Sequence, residues 1–137
     1  GGPVQYPAAY NDYVLAVAAT DYNDDVWEGS NAGPEVDVAA PGVSILTAVP
    51  TWFLGSGPLP YSRFDGTSMA APHVSGLAAI LKSLKPWLTA AQIREIIRLS
   101  ADDVNAATLP GIDDSIGCGR INMAKALVPL KLEAGRP

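Results

Sequence analysis

This chain of 137 residues holds one cysteine and one histidine. Cys118 alone cannot form a disulfide within the chain, and no nucleophile motif surrounds it; it reads as a small, partly buried packing residue. One thiol leaves the redox compartment open. Cys and His spacing of the kind that binds zinc is absent. Positive charge is also scarce: nine Lys and Arg stand against fourteen Asp and Glu, a net −5. That balance argues against nucleic acid or an anionic membrane surface as the main partner. No uninterrupted apolar run approaches ~18 residues, so no transmembrane helix is expected. The opening Gly1-Gly2-Pro3 carries no signal-peptide pattern. Internal repeats and low-complexity segments are missing too.

What the chain does have is length and apolar content for one domain with a sizeable core. Its organising stretch runs from Phe64 to Gly76. Asp65-Gly66 is a turn pair. Thr67 suits an N-cap, and Met69 to Leu84 is almost entirely small or apolar, which predicts a helix buried on most sides. Ser68 then lies at a helix start, where free N–H groups favour negative charge. A nucleophile and a developing oxyanion could both be served there. Pro72 removes the N–H that would bond the Ser68 carbonyl, so the first turn should be loosened. Taken alone, such a serine is most simply the polar end of a capped core helix.

The flanking residues change that reading. Gly66-Thr67-Ser68-Met69-Ala70-Ala71-Pro72-His73-Val74 resembles the nucleophile motif of the subtilisin-like serine proteases. Other segments carry the same resemblance. Tyr6-Pro7-Ala8-Ala9-Tyr10, with the run Tyr13 to Ala19 and Thr20-Asp21, is most similar to the thermitase-like branch. Asp37-Val38-Ala39-Ala40-Pro41-Gly42 resembles the segment upstream of the nucleophile, and Gly119-Arg120-Ile121-Asn122 the end of the catalytic domain. Gly29-Ser30 stands where the family usually has Phe-Ser, which should leave a packing gap.

Local patterns fill in the rest. Tyr13 to Ala19 has strand length and suits a parallel strand covered on both faces. Val36 and Val38 alternate with polar neighbours as in a short strand. Val43 to Val49 is a further β-rich run. Residues 50–60 read as a loop with an apolar tip, Trp52, Phe53 and Leu54, which either folds back or touches a partner. Asp21-x-Asn23-x-Asp25 has the start of an EF-hand spacing but lacks its glycine and glutamate, so it is read as a solvated turn. Thr89 and Gln92 form a capping box, with Leu88 and Ile93 as a staple. Ile93, Ile96 and Ile97, with Leu99 or Ser100, give the helical stripe. Asp102-Asp103 and Asp113-Asp114 are expected to be solvated. Asn122 caps a short helix, Met123 to Leu127.

The resemblance implies an α/β fold of three layers, a parallel sheet with helices on both faces. Residues 1–127 would be the C-terminal half of a subtilisin-like catalytic domain, and 128–137 a tail. It implies a serine endopeptidase acting on protein or peptide, with Ser68 as nucleophile. The Ser68 N–H would supply half an oxyanion hole, with the Thr67 hydroxyl beside it. His73 lies five residues on, about 140° around the helix, and points away. It belongs to the serine motif and not to the triad, so no base for Ser68 lies within the chain. The chain is therefore expected to be inactive alone. It should need an Asp- and His-bearing half, or self-associate through its exposed edge and helix face. The alternative is a non-catalytic, truncated module for oligomerisation or binding. By the same resemblance the protein is extracellular and needs no redox or nucleotide cofactor. A weak calcium or sodium site is implied at the carbonyls of Ala8, Tyr10 and Tyr13 with Asp37 and Glu35. The competing role for Asp37 is that of a strand-end hydrogen-bond acceptor.

Overall fold

The computed structural model describes residues 1–50, 52 and 60–133, with backbone alone over 129–133. Strand β1 (Ala16–Thr20) pairs in parallel with β2 (Val36–Pro41), and β3 (Ile45–Ala48) pairs antiparallel with β4 (Tyr61–Phe64). Three helices follow: α1 (Thr67–Leu84), α2 (Ala90–Leu99) and α3 (Met123–Glu133). Alanine is a poor strand former, so β1 and β2 owe their conformation to burial on both faces, as parallel strands do. On one face Ala19, Val38 and Ala40 meet Ala70, Val74, Leu77 and Leu81 of α1 and Ile97 of α2. On the other, Ala18, Val36 and Ala39 meet Ile116, with Val4 and Val104 beside them.

The fold is α/β, but helices cover one face of the parallel pair and loops cover the other. Helices on both faces, the expected three-layer arrangement, are not seen among the described residues. The expected alternation of β2 also breaks. Register slips between Ala16 and Val17, which leaves Asp37 as an extra residue on β2. Such a bulge re-aims side chains, and Val36 and Val38 end on opposite faces. β1 starts later than the apolar run suggests: Tyr13 is 89% exposed and turned out before the strand begins. The outer edge of β2 is bonded to the Gly119 segment, through Cys118 N–H to the Asp37 carbonyl and Ala39 N–H to the Gly119 carbonyl.

Helix α1 buries a stripe at Ala70, Val74, Leu77 and Leu81, spaced four, three and four apart. Ser68, Ala71, Pro72, His73, Ser75 and Gly76 are exposed, so the helix is covered on one side and not on most. No element of this chain packs on that second face among the described residues. Its N-cap is Gly66 and not Thr67, with no side-chain cap bond. The α2 capping box is present, with Thr89 accepting from the Gln92 N–H and Gln92 accepting from the Thr89 N–H. Ser100 is buried and Leu99 is 78% exposed, which completes the stripe on Ser100. Asn122 accepts the Lys125 N–H and caps α3, but the helix runs on to Glu133, past the expected end at Leu127. Phe53 and Leu54 lie outside the described residues, and Trp52 is exposed.

Two further expectations are corrected. No gap opens at Gly29, because the Trp27 ring occupies the space a side chain there would need. Ser30 is buried, and its Oγ accepts the Ala19 N–H at 3.2 Å. Of the acids expected to be solvated, Asp114 is exposed, but Asp102, Asp103 and Asp113 are structural. Asp102 accepts from Lys125, Asn122 and Arg120; Asp103 accepts the Gly111 N–H; Asp113 accepts from Asn105, Ser115 and Ile116. A long segment with few ladder bonds must satisfy much of its backbone by side chains, and carboxylates do that here for the Gly111, Ser115 and Ile116 N–H groups.

Candidate active site

Ser68 is the second residue of α1, and its position follows from the turn before it. Gly66 has φ 155° and ψ 156°, a region essentially closed to residues with a side chain. Its N–H donates to the Gly42 carbonyl at 2.8 Å. A Cβ on Gly42 would in turn stand 2.7 Å from the Gly66 carbonyl oxygen. Gly42 is needed because the two backbones touch here, and Gly66 because of its dihedral angles. The end of β2 thereby holds the start of α1.

The Gly66 carbonyl accepts the N–H of Met69 at 2.9 Å and of Ala70 at 3.3 Å. Thr67 and Ser68 come before the first helical bonds, so their N–H groups belong to the free donors of a helix start. The Ser68 side chain is exposed, and its hydroxyl has no hydrogen-bond partner among the described residues. It borders an open cavity of about 440 Å³ lined by Tyr6, Ala8, Leu15, Asn31 and Thr67. A larger cavity of about 750 Å³ continues along α1 past Val74 and Ala78 without reaching Ser68. Of the two, the smaller one holds the hydroxyl and the helix start.

His73 is exposed, and its Nδ1–H donates to the Met69 carbonyl at 3.0 Å. The ring is thus tied to its own helix one turn back. Among the described residues, Ser68 is given a helix start and a cavity but neither a base nor a carboxylate to orient one.

Asp37 is 4% exposed and accepts the Ala16 N–H at 2.9 Å and Arg94 at 2.7 and 3.2 Å. Arg98 stands 3.5 Å from the same oxygen. Burial works against the charge on Arg98, but the Cys118 side chain and then Asp37 raise its pKa overall. The Tyr10 carbonyl already accepts the N–H groups of Tyr13 and Val14. Asp37 is thus committed to three donors with two guanidinium charges beside it, and the Tyr10 carbonyl to two N–H groups, which speaks against these two as ligands of a hard cation. Asp37 is the hydrogen-bond acceptor of the competing reading, enlarged into an ion-paired centre. The sequence signal for it was the pair Arg94 and Arg98, four apart on one face of α2.

The subtilase family profile matches residues 1–119. Subtilisin DY from Bacillus licheniformis is 41% identical over 90% of this chain and 40% of its own length. The halolysin-like extracellular serine protease Nep from Natrialba magadii is 37% identical over 93% of this chain and 21% of its own. Among solved structures, fervidolysin from Fervidobacterium pennivorans superposes with a TM-score of 0.73 at 34% identity, over 90% of this chain and 20% of that one. A lanthipeptide protease gives 0.75 at 28%, over 95% and 44%. The chain thus spans between about a fifth and two fifths of the length of these relatives. With a serine at a glycine-held helix start, a matching backbone and a profile across most of its length, the chain belongs to the subtilase family.

Proposed function

We propose that this chain is the nucleophile-bearing part of a subtilisin-like serine endopeptidase. Ser68 attacks the scissile carbonyl carbon of a protein or peptide. Its proton passes to a histidine that this chain does not carry, which an aspartate orients. The carbonyl oxygen takes the negative charge and meets the free N–H of Ser68, with Thr67 beside it. The observation that carries this reading is the unpartnered Ser68 hydroxyl at the start of α1, facing an open cavity. His73 is committed to the Met69 carbonyl, so the chain alone should be inert. Losing one triad member costs factors of roughly 10⁴ to 10⁶ in subtilisin, and here two are to be supplied. No redox or nucleotide cofactor enters, and family membership supports secretion.

The open face of α1 favours a second reading, a non-catalytic module that binds or oligomerises through that face. Mixing the chain with the Asp- and His-bearing part of a subtilisin relative and following casein cleavage separates the two. Protease activity that depends on both components supports the first. A stable, inert oligomer supports the second.

A further inference from the structure

Beside the Ser68 turn, two charged side chains grip the peptides on either side of one residue, Ser44, at the neighbouring strand entrance. Ser44 has a left-handed φ of 56°, unusual for a residue with a side chain. Its N–H donates to the Asp65 carboxylate at 2.6 Å. Its carbonyl accepts Arg63 Nη1 at 2.7 Å, and its Oγ stands 3.4 Å from the same nitrogen. Arg63 and Asp65 are two residues apart, so extended backbone turns both to the same side. Asp65 immediately precedes Gly66, and Ser44 lies two residues beyond Gly42. The Gly66 N–H to Gly42 carbonyl bond closes the same small loop of contacts.

We propose that Asp65, with Arg63, is a positioning residue for Ser68. It fixes Ser44, and through the Gly42–Gly66 contact it holds Gly66 in the conformation that starts α1. A left-handed serine is sparsely populated and persists only where its surroundings enforce it, whereas Gly66 can reach its positive φ and has to be held there against its many other conformations. The carboxylate and the guanidinium are the side chains in place to do so. Asp65 acts on the reaction through backbone geometry and not by touching substrate. This role rests on Ser68 being the nucleophile, but the clamp can be read without catalysis.

The test follows the backbone amides of the 137-residue chain by NMR and hydrogen exchange. In Asp65→Ala the Ser44 amide should exchange at least about tenfold faster, and the Gly66 and Ser68 resonances should move while Leu77 and Ile97 stay. Asp65→Asn keeps an acceptor oxygen and should largely restore all three. Arg63→Met should shift the same amides by a smaller amount and provides the readout if Asp65→Ala does not fold. Unmoved Gly66 and Ser68 amides in both variants overturn the inference. With the Asp- and His-bearing part supplied, Asp65→Ala should lower kcat by about tenfold or more at a KM within about twofold. An equal kcat overturns the positioning role. Failure of the wild-type mixture to react contradicts the proposed function instead, and the amide measurements then decide the clamp.

Discussion

Asp37 shows most clearly how one residue's surroundings decide its role. Its type and place suggested a cation ligand, and the bulge in β2 instead aims it at Ala16, Arg94 and Arg98. Asp37→Asn should leave two guanidinium groups short of a counter-charge. A fully buried pair loses ~3–5 kcal/mol when one partner goes. The arginines here are a quarter to a third exposed, so roughly 2–3 kcal/mol is expected by urea unfolding. For the same reason, millimolar calcium should leave the thermal midpoint of the wild-type chain unchanged. A rise of several degrees would contradict the ion-paired role. At this scale the nine-residue motif pointed to Ser68, and the structure places its exposed side chain at the start of α1 beside a cavity. The pairing of Asp37 with Arg94 and of Asp102 with Lys125 was not legible, because bonds that bridge distant segments leave no local pattern, whereas the bonds of Asp113 to Ser115 and Ile116 are a local turn that was passed over.

Among the elements, those with strong local chemistry were readable. The box Thr89–Gln92 starts α2 where the sequence places it, and Asn122 caps α3. Thr89→Ala should cost about 1 kcal/mol, a fall in Tm of roughly 4 °C by calorimetry. An unchanged Tm would show that packing of Ile97 alone holds the helix. The start of α1 was read one residue late, because Thr67 is a better cap by composition than Gly66. Backbone contact between Gly42 and Gly66 overrode that preference, and only Gly66 can adopt the required dihedrals. The burial of α1 was overestimated for a different reason. Small apolar residues on two faces suggested burial on both, and among the described residues one face is covered.

For the whole molecule, acid is the informative perturbant. Hydrogen bonds from Lys125 and Asn122 hold the Asp102 carboxyl below its ordinary 3.8. Burial pushes Asp113 up, but bonds from Ser115, Asn105 and the Ser115 and Ile116 N–H groups outweigh it and lower its pKa. A depressed carboxyl contributes stability above its unfolded value and loses it as pH falls through the folded one. The urea midpoint should therefore be steady at neutral pH and drop below about pH 4. Asp102→Asn should lower stability at pH 7 and flatten that drop. An equally steep acid limb in the variant would remove Asp102 from the account. The overall α/β class could be read from the sequence. The exposed edge and helix face followed from the resemblance to half of a catalytic domain, but the open cavities beside the second face of α1 and the Leu15–Val17 edge are declared by no sequence pattern.

The central claim is that Ser68 is a nucleophile placed for reaction and lacking its base. Labelling by a fluorophosphonate probe, with the chain alone and with an Asp- and His-bearing subtilisin part, measures this directly. The account predicts no prompt labelling alone, stoichiometric labelling in the mixture, and its loss in Ser68→Ala. Prompt labelling of the isolated chain, or a mixture in which the Asp- and His-bearing part binds but Ser68 stays unmodified, would contradict it.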